Sequence, residues 1–206
     1  MLEEVSTQLK NEQNLINHGW ASWHSLYDNP HSFPYQRLMA TKKFINNYLN
    51  NNKNDLIIWS ICSGQGRDIL HSLSDRKDKD RISTYLIDTD LECLDYAKNY
   101  ADTNNISNVH YINKDAGDLK TYINLPNANL IILCGMLGPF TLEETDHIIK
   151  TLSCIMEKDT HIIWSRNKIN NEVLNNVLSI FDKYLFKKID YFDPEDSPVF
   201  VAHHVL

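Results

Sequence analysis

From about Ser60 onward, short apolar runs alternate with amphipathic stretches. Leu56 to Cys62, Ile82 to Asp88, Val109 to Asn113, Leu130 to Cys134 and His161 to Ser165 are rich in aliphatic residues and bounded by polar or glycine-bearing segments, which predicts strands. Between them, Gly66 to Leu73, Leu91 to Asp102, Leu142 to Met156 and Asn171 to Tyr184 repeat apolar positions at helical spacing. That rhythm specifies a mostly parallel sheet covered by helices, because a parallel pair needs a long crossover. The last part of the chain breaks it. Leu185 to Phe192 and Val199 to Val205 are separated only by Asp193 to Pro198, too short for a crossover helix, so these two runs are expected to form an antiparallel hairpin.

Upstream, Met1 to Asn17 reads as a helix and about Gln36 to Leu49 as another, with Asn50 to Asn54 as a loop. A loop between the helices carries Trp20, Trp23, His24, Tyr27, Pro30, Phe33, Pro34 and Tyr35. So many rings must pack on something, either the core or a site for which the segment is a lid. The chain is accordingly divided into an N-terminal helical and aromatic segment, residues 1–54, and an α/β domain, residues 55–206.

Composition narrows the function classes. With 27 acidic and 20 basic residues the 206-residue chain carries a net charge of −7, which argues against a phosphate-tracking surface and a nucleic-acid partner. No apolar stretch approaches the roughly 20 residues of a membrane span. The polar start MLEEVSTQLKNEQNL lacks the features of a secretory signal, so a cytoplasmic location is expected. Cys62, Cys93, Cys134 and Cys154 are scattered, and His203 and His204 have no companion at ligand spacing, so neither a disulfide framework nor a metal site is expected.

The chemistry concentrates at strand ends. Cys62-Ser63-Gly64-Gln65-Gly66-Arg67-Asp68 passes from the first strand through a glycine-bearing turn into a helix, the usual ligand contact of an open α/β sheet. Gly64 would let the backbone approach a ligand, and Gly66 would admit close helix-to-strand packing. Asp88 ends the second strand about 20 residues on, where a carboxylate accepts from ribose hydroxyls. A helix N-cap is the other reading of Asp88, although Thr89 and Asp90 are better placed for that. Asp115-Ala116 ends the third strand, and Cys134-Gly135 the fourth.

Taken together, the turn, Asp88, Asp115-Ala116, the run Leu130 to Gly135 and the terminal hairpin resemble the successive motifs of class I S-adenosylmethionine-dependent methyltransferases over roughly Leu56 to Leu206. Trp23-His24, Tyr27-Asp28, the turn, Leu133 to Gly138 and Ile163 to Arg166 resemble more narrowly a set of small bacterial members without an assigned substrate. The resemblance implies a Rossmann-like three-layer sandwich with a seven-stranded sheet of order 3-2-1-4-5-7-6. It further implies S-adenosylmethionine as cofactor, with methyl transfer to the oxygen or nitrogen of a small molecule. Cys62, Ser63, Gly64, Gln65 and Gly66 would pass beneath the methionine part, Asp88 with Thr89 would meet the ribose, Asp115 and Ala116 the adenine, and Cys134 and Gly135 the sulfonium.

Two positions depart from the family pattern. Ser60 stands where an acid is usual and Cys62 where glycine is usual, so the hold on the cofactor's amino group passes to Asp68 or to the N-terminal segment. Tyr27 and Arg37 are candidates for the methionine carboxylate, although a surface ion pair explains Arg37 equally well. Asn129 replaces a frequent acid, so no base for the acceptor is advertised. His24, with a near-neutral ordinary pKa, and Tyr27 beside it are the catalytic candidates, and a hydrogen-bonded structural histidine is the alternative. Trp23, Arg37 and Arg166 are candidates for binding the acceptor. Arg166 would fix a carboxylate, or else cap a helix or pair with Asp193 or Glu195.

Three other functions remain open at this level. One attacks another carbon beside the sulfonium and cleaves or cyclises the cofactor's amino-acid arm. A nicotinamide oxidoreductase is the second, although the turn lacks the last glycine of the dinucleotide fingerprint. The third is a non-catalytic binding protein.

Overall fold

The computed structural model describes residue 15, residues 20–168 and residues 170–206. Seven strands form one sheet: β1 (Leu56–Ile61), β2 (Ile82–Asp88), β3 (Val109–Asn113), β4 (Leu130–Leu133), β5 (His161–Asn167), β6 (Lys187–Phe192) and β7 (Val199–Val205). Their order is β3-β2-β1-β4-β5-β7-β6, as expected. The first five pair in parallel, and β7 runs antiparallel to both β5 and β6.

The helices are α1 (Trp20–Trp23), which continues into a 3-10 turn (His24–Asp28), α2 (Phe33–Asn51), α3 (Arg67–Leu73), α4 (Leu91–Thr103), α5 (Leu142–Ile155) and α6 (Asn171–Lys183). Side chains stop and start them locally. Asp90 caps α4 by accepting from the Cys93 N–H, and Thr141 and Glu144 form a reciprocal capping box at α5.

The N-terminal readings need correction. The aromatic loop is largely helical, and α2 begins at Phe33 because the Ser32 hydroxyl accepts from the Tyr35 N–H while Pro34 sits in the first turn, where a missing donor costs nothing. Asn50 and Asn51 finish α2 and are not loop. The helix expected over Met1 to Asn17 lies, Leu15 apart, outside the described residues.

Strand alternation sends successive residues to opposite faces, and each face builds its own core. On one face Ile58, Leu130, Ile132 and Ile163 meet α2, α3 and α4 through Ile45, Leu49, Leu70 and Ala97. On the other, Trp59, Ile131, Leu133 and Trp164 meet α5 and α6 through Ile149, Leu152 and Phe181. Ile45 and Leu49 are fully buried against the sheet, so α2 belongs to the helical layer. The carboxyl ends of β1 to β4 are left to be covered by α1, the 3-10 turn and the start of α2. No helix among the described residues is long and apolar enough to cross a membrane.

Candidate active site

The turn from β1 to α3 contains three residues in the left-handed region: Cys62 (φ 49°), Gly64 (φ 51°) and Gly66 (φ 61°). Gly66 is fixed by packing, since a Cβ there would stand 2.9 Å from Leu86 Cδ1 on β2. At Cys62 a side chain occupies a conformation that disfavours one, which stores strain in the turn. Asp88 ties the turn to β2. Its Oδ2 accepts from the Gly64 N–H at 2.7 Å and its Oδ1 from the Asp90 N–H at 2.9 Å. A carboxylate has about four lone-pair sites, so Asp88 retains capacity for further donors.

A cavity of about 220 Å³ opens over these strand ends. Of the turn, Cys62, Ser63 and Gly64 line it; Asp88 with Thr89, Asp115 with Ala116, and Cys134 with Gly135 line it from the ends of β2, β3 and β4. Trp23, His24, Tyr27 and Arg37 line it from the N-terminal side. Three sequence candidates lie outside this lining. Gln65 is buried and accepts from Arg67 Nε, and Gly66 is spent on helix packing. Arg166 instead borders a smaller neighbouring cleft of about 60 Å³, which Arg37 and Gly135 share. Its guanidinium donates to the Leu137 carbonyl, and Lys168, not Arg166, pairs with Asp193.

The N-terminal segment sits on the turn itself. His24 Nε2 accepts from the Gln65 N–H at 3.4 Å, its Nδ1 lies 3.9 Å from Cys93 Sγ, and a Cβ on Gly64 would fall 2.4 Å from Nε2. The close approach that Gly64 permits is therefore taken up by His24. Arg67 latches the segment from the other side. Its Nη1 donates to Asp28 Oδ1 at 2.7 Å, and its guanidinium lies over the rings of Tyr27 and Tyr96. Arg37 lies over the rings of Trp23 and Tyr27 and donates to the Tyr27 hydroxyl at 2.7 Å.

These contacts change the reading of the catalytic candidates. His24 Nε2 faces the Gln65 backbone N–H. Burial raises the Tyr27 hydroxyl above its ordinary pKa, so it stays protonated at neutral pH. Both line the cavity. Sequence reasoning missed Thr41, whose Oγ1 donates to Cys134 Sγ at 3.3 Å, and Arg67. Thr41 stands one helical turn after Arg37 and so shares its face of α2, a signal legible in hindsight. Burial also pushes the thiols of Cys62, Cys93 and Cys134 up to about 12. Among the described residues no cluster of three or more His, Cys, Asp or Glu is placed to hold a metal ion.

No family model matches the chain, and no curated protein is similar to it in sequence. Solved structures do share its fold. A magnesium protoporphyrin IX methyltransferase from Synechocystis with bound S-adenosylhomocysteine superposes with a TM-score of 0.66 at 12% identity, over 96% of this chain and 98% of that one. A TehB-like S-adenosylmethionine-dependent methyltransferase from Corynebacterium glutamicum gives 0.65 at 16% identity, over 95% and 98%. An rRNA methylase from Streptococcus thermophilus gives 0.59 at 15% identity, over 79% and 93%. The architecture is thus the class I S-adenosylmethionine-dependent methyltransferase fold.

Proposed function

We propose that the protein is an S-adenosylmethionine-dependent methyltransferase acting on the oxygen or nitrogen of a small molecule. The observation that carries this reading is the cavity itself: on a fold shared with such methyltransferases, it joins the strained turn, Asp88 and Asp115 at the carboxyl edge of the sheet. The residues fit the cofactor. Asp88 has acceptor capacity for ribose hydroxyls, Asp115 lines the cavity and can accept from an amino group, and the buried Ser63 hydroxyl, which has no hydrogen-bond partner among the described residues, is available for another.

When bound, S-adenosylmethionine supplies an electrophilic methyl group on a sulfonium. The chain's own residues exclude water and hold the acceptor in line, which accounts for much of the barrier reduction without a dedicated base. The three cavity thiols remain protonated at neutral pH, so they do not compete as nucleophiles. A small acceptor is supported by the roof of Trp23, His24 and Tyr27 over the cavity and by the net charge of −7, which disfavours RNA. Arg37 and Arg166, which border the cleft beside Gly135, are the groups through which an acidic acceptor would be held.

Thermal melting tests the reading. S-adenosylmethionine and S-adenosylhomocysteine should raise the melting temperature and NAD should not; stabilisation by NAD alone would overturn it. Product analysis then separates methyl transfer, which yields S-adenosylhomocysteine, from cleavage of the amino-acid arm, which yields methylthioadenosine.

A further inference from the structure

Two clefts adjoin the main cavity, and their charges are opposite. The one beside the start of α5 is lined by four carboxylates, Asp115, Glu143, Glu144 and Asp146, against the ammonium of Lys150. The one of about 60 Å³ between the start of α2 and the β5–β7 pair holds two guanidinia, Arg37 and Arg166, and no carboxylate among its lining residues. In a chain of net charge −7 that separation favours an anion in the second cleft and repels one from the first. Arg37 and Gly135 line both this cleft and the main cavity, so a group held there adjoins the space assigned to the cofactor.

Both guanidinia are held in place by the protein itself. Arg37 lies over the rings of Trp23 and Tyr27 and packs so close to Gly135 that a Cβ there would stand 3.0 Å from Nη2. Gly135 (φ 89°) is fixed in turn by its N–H, which donates to Ser165 Oγ at 3.0 Å. Arg166 commits Nη1 to the carbonyls of Leu137 and Phe140. Among the described residues its Nε and Nη2 have no hydrogen-bond partner and the side chain forms no ion pair. Those two nitrogens are an edge that takes a carboxylate through two parallel bonds. Arg166 is half-buried, and burial lowers its pKa, a desolvation cost that a ligand anion would offset.

The rest of the cleft is apolar where it meets α2 and β7, through Phe33, Pro34, Pro198 and Val199. Its room, equal to about four to six water-sized groups, suits a carboxyl group on a short hydrocarbon body. A carboxylate is also ionised at neutral pH and loses no proton on methylation, which matches a cavity whose thiols and Tyr27 hydroxyl stay protonated there.

We infer that the acceptor is a small apolar carboxylic acid, bound as its anion between Arg37 and Arg166, and that the carboxylate oxygen itself receives the methyl group to give a methyl ester. A lone pair of that oxygen forms the new O–C bond as the C–S bond breaks and its electron pair leaves on sulfur. The carboxylate and sulfonium charges cancel into a neutral ester and a neutral thioether, and no proton moves. The inference rests on the cofactor reading above and deepens it by naming the reacting group. A hydroxyl or amine acceptor, with Asp68 on the cavity wall taking its proton at a pKa raised by burial to about 6, is the competing assignment.

Calorimetry on protein saturated with S-adenosylhomocysteine uses benzoate and butyrate as probes, with benzamide and butyramide as their neutral counterparts. Each acid should bind at least about tenfold more tightly than its amide, as for charge-assisted bonds, and Arg166→Gln should remove most of that preference while S-adenosylhomocysteine binds as before. No preference in wild type, or one undiminished in the variant, overturns the carboxylate site and leaves the cofactor reading intact. If wild type does not bind S-adenosylhomocysteine, the cofactor reading fails and the inference with it.

A second measurement needs no variant. Wild type is given S-adenosylmethionine labelled in its methyl group, with the two acids, benzyl alcohol or benzylamine as acceptor. Label should pass to an acid and be released as methanol by mild alkali, which cleaves esters and spares methyl ethers and methylamines. Absence of alkali-labile label would sink the ester, and alkali-stable transfer to the alcohol or the amine would favour Asp68 as the base instead.

Discussion

Gly64 and His24 are matched to each other, and the match can be measured. Gly64→Ala should cost about 1 to 2 kcal/mol for the left-handed backbone, and more for the contact with the His24 ring. In a His24→Ala background the contact part should vanish, so urea denaturation of the two singles and the double should show coupling; additive costs would mean that the ring yields freely. Asp88→Ala should weaken S-adenosylmethionine by about 2 to 4 kcal/mol in calorimetry, from two charge-assisted bonds to ribose, and unchanged binding would displace Asp88 from that role. Gly64, Asp88 and Asp115 were legible because backbone freedom and strand-end carboxylates leave local marks. The partner of Gly64 was not: that a ring from His24 would fill the space over it depends on where a distant helix lands. Arg166 shows the same limit, since nothing near it in the sequence says that its guanidinium will tie down the Leu137 carbonyl.

At the level of elements, strand positions followed from apolar runs, and the hairpin from a connection too short for a helix. The start of α2 was misjudged because aromatic and proline residues suggested a loop, whereas the Ser32 cap and first-turn proline permit a helix. The β5–β7 pair has a property of its own. His161 Nδ1 lies 2.8 Å from His203 Nε2, and the buried Trp164 indole donates to His204 Nδ1 at 3.0 Å. Burial pushes His203 and His204 down to about 4, as it does His71 on α3. Their ordinary value is near 6.5, so stability is whole above that pH and is lost as pH falls toward 4, where the unfolded chain takes protons the native state refuses. Asp68, raised to about 6, works in the opposite sense, but three histidines outweigh one carboxylate. Urea midpoints should therefore correspond to roughly 2 to 4 kcal/mol less stability at pH 5 than at pH 7. His204→Gln, which keeps an acceptor for Trp164, should flatten the dependence, and an unchanged slope would place the effect elsewhere.

For the molecule as a whole, the segment ahead of α2 is held to the turn through His24 and the Arg67–Asp28 pair, and the sheet has its own two cores. Removing residues 1–31, which leaves the Ser32 cap, should abolish turnover while the remainder stays folded by circular dichroism. Cofactor should protect residues 20–31 from limited proteolysis; equal cleavage with and without it, or a truncated protein that still turns over, would refute a lid. The placement of β7 bears on how such a chain reaches its native state. It is the last strand in sequence, every residue from Val199 to His204 is buried, and it lies between β5 and β6. Until it arrives, β5 presents an open edge and β6 has no neighbour, so closure of the sheet waits on the final hairpin. Long-range pairings of this kind make for slow folding, and the intermediate they leave exposed is a template for intermolecular strand addition. Yield on refolding should accordingly fall as protein concentration rises, even though the finished sheet exposes at that side only β6, blunted by lysines and a bulge between Lys188 and Asp190.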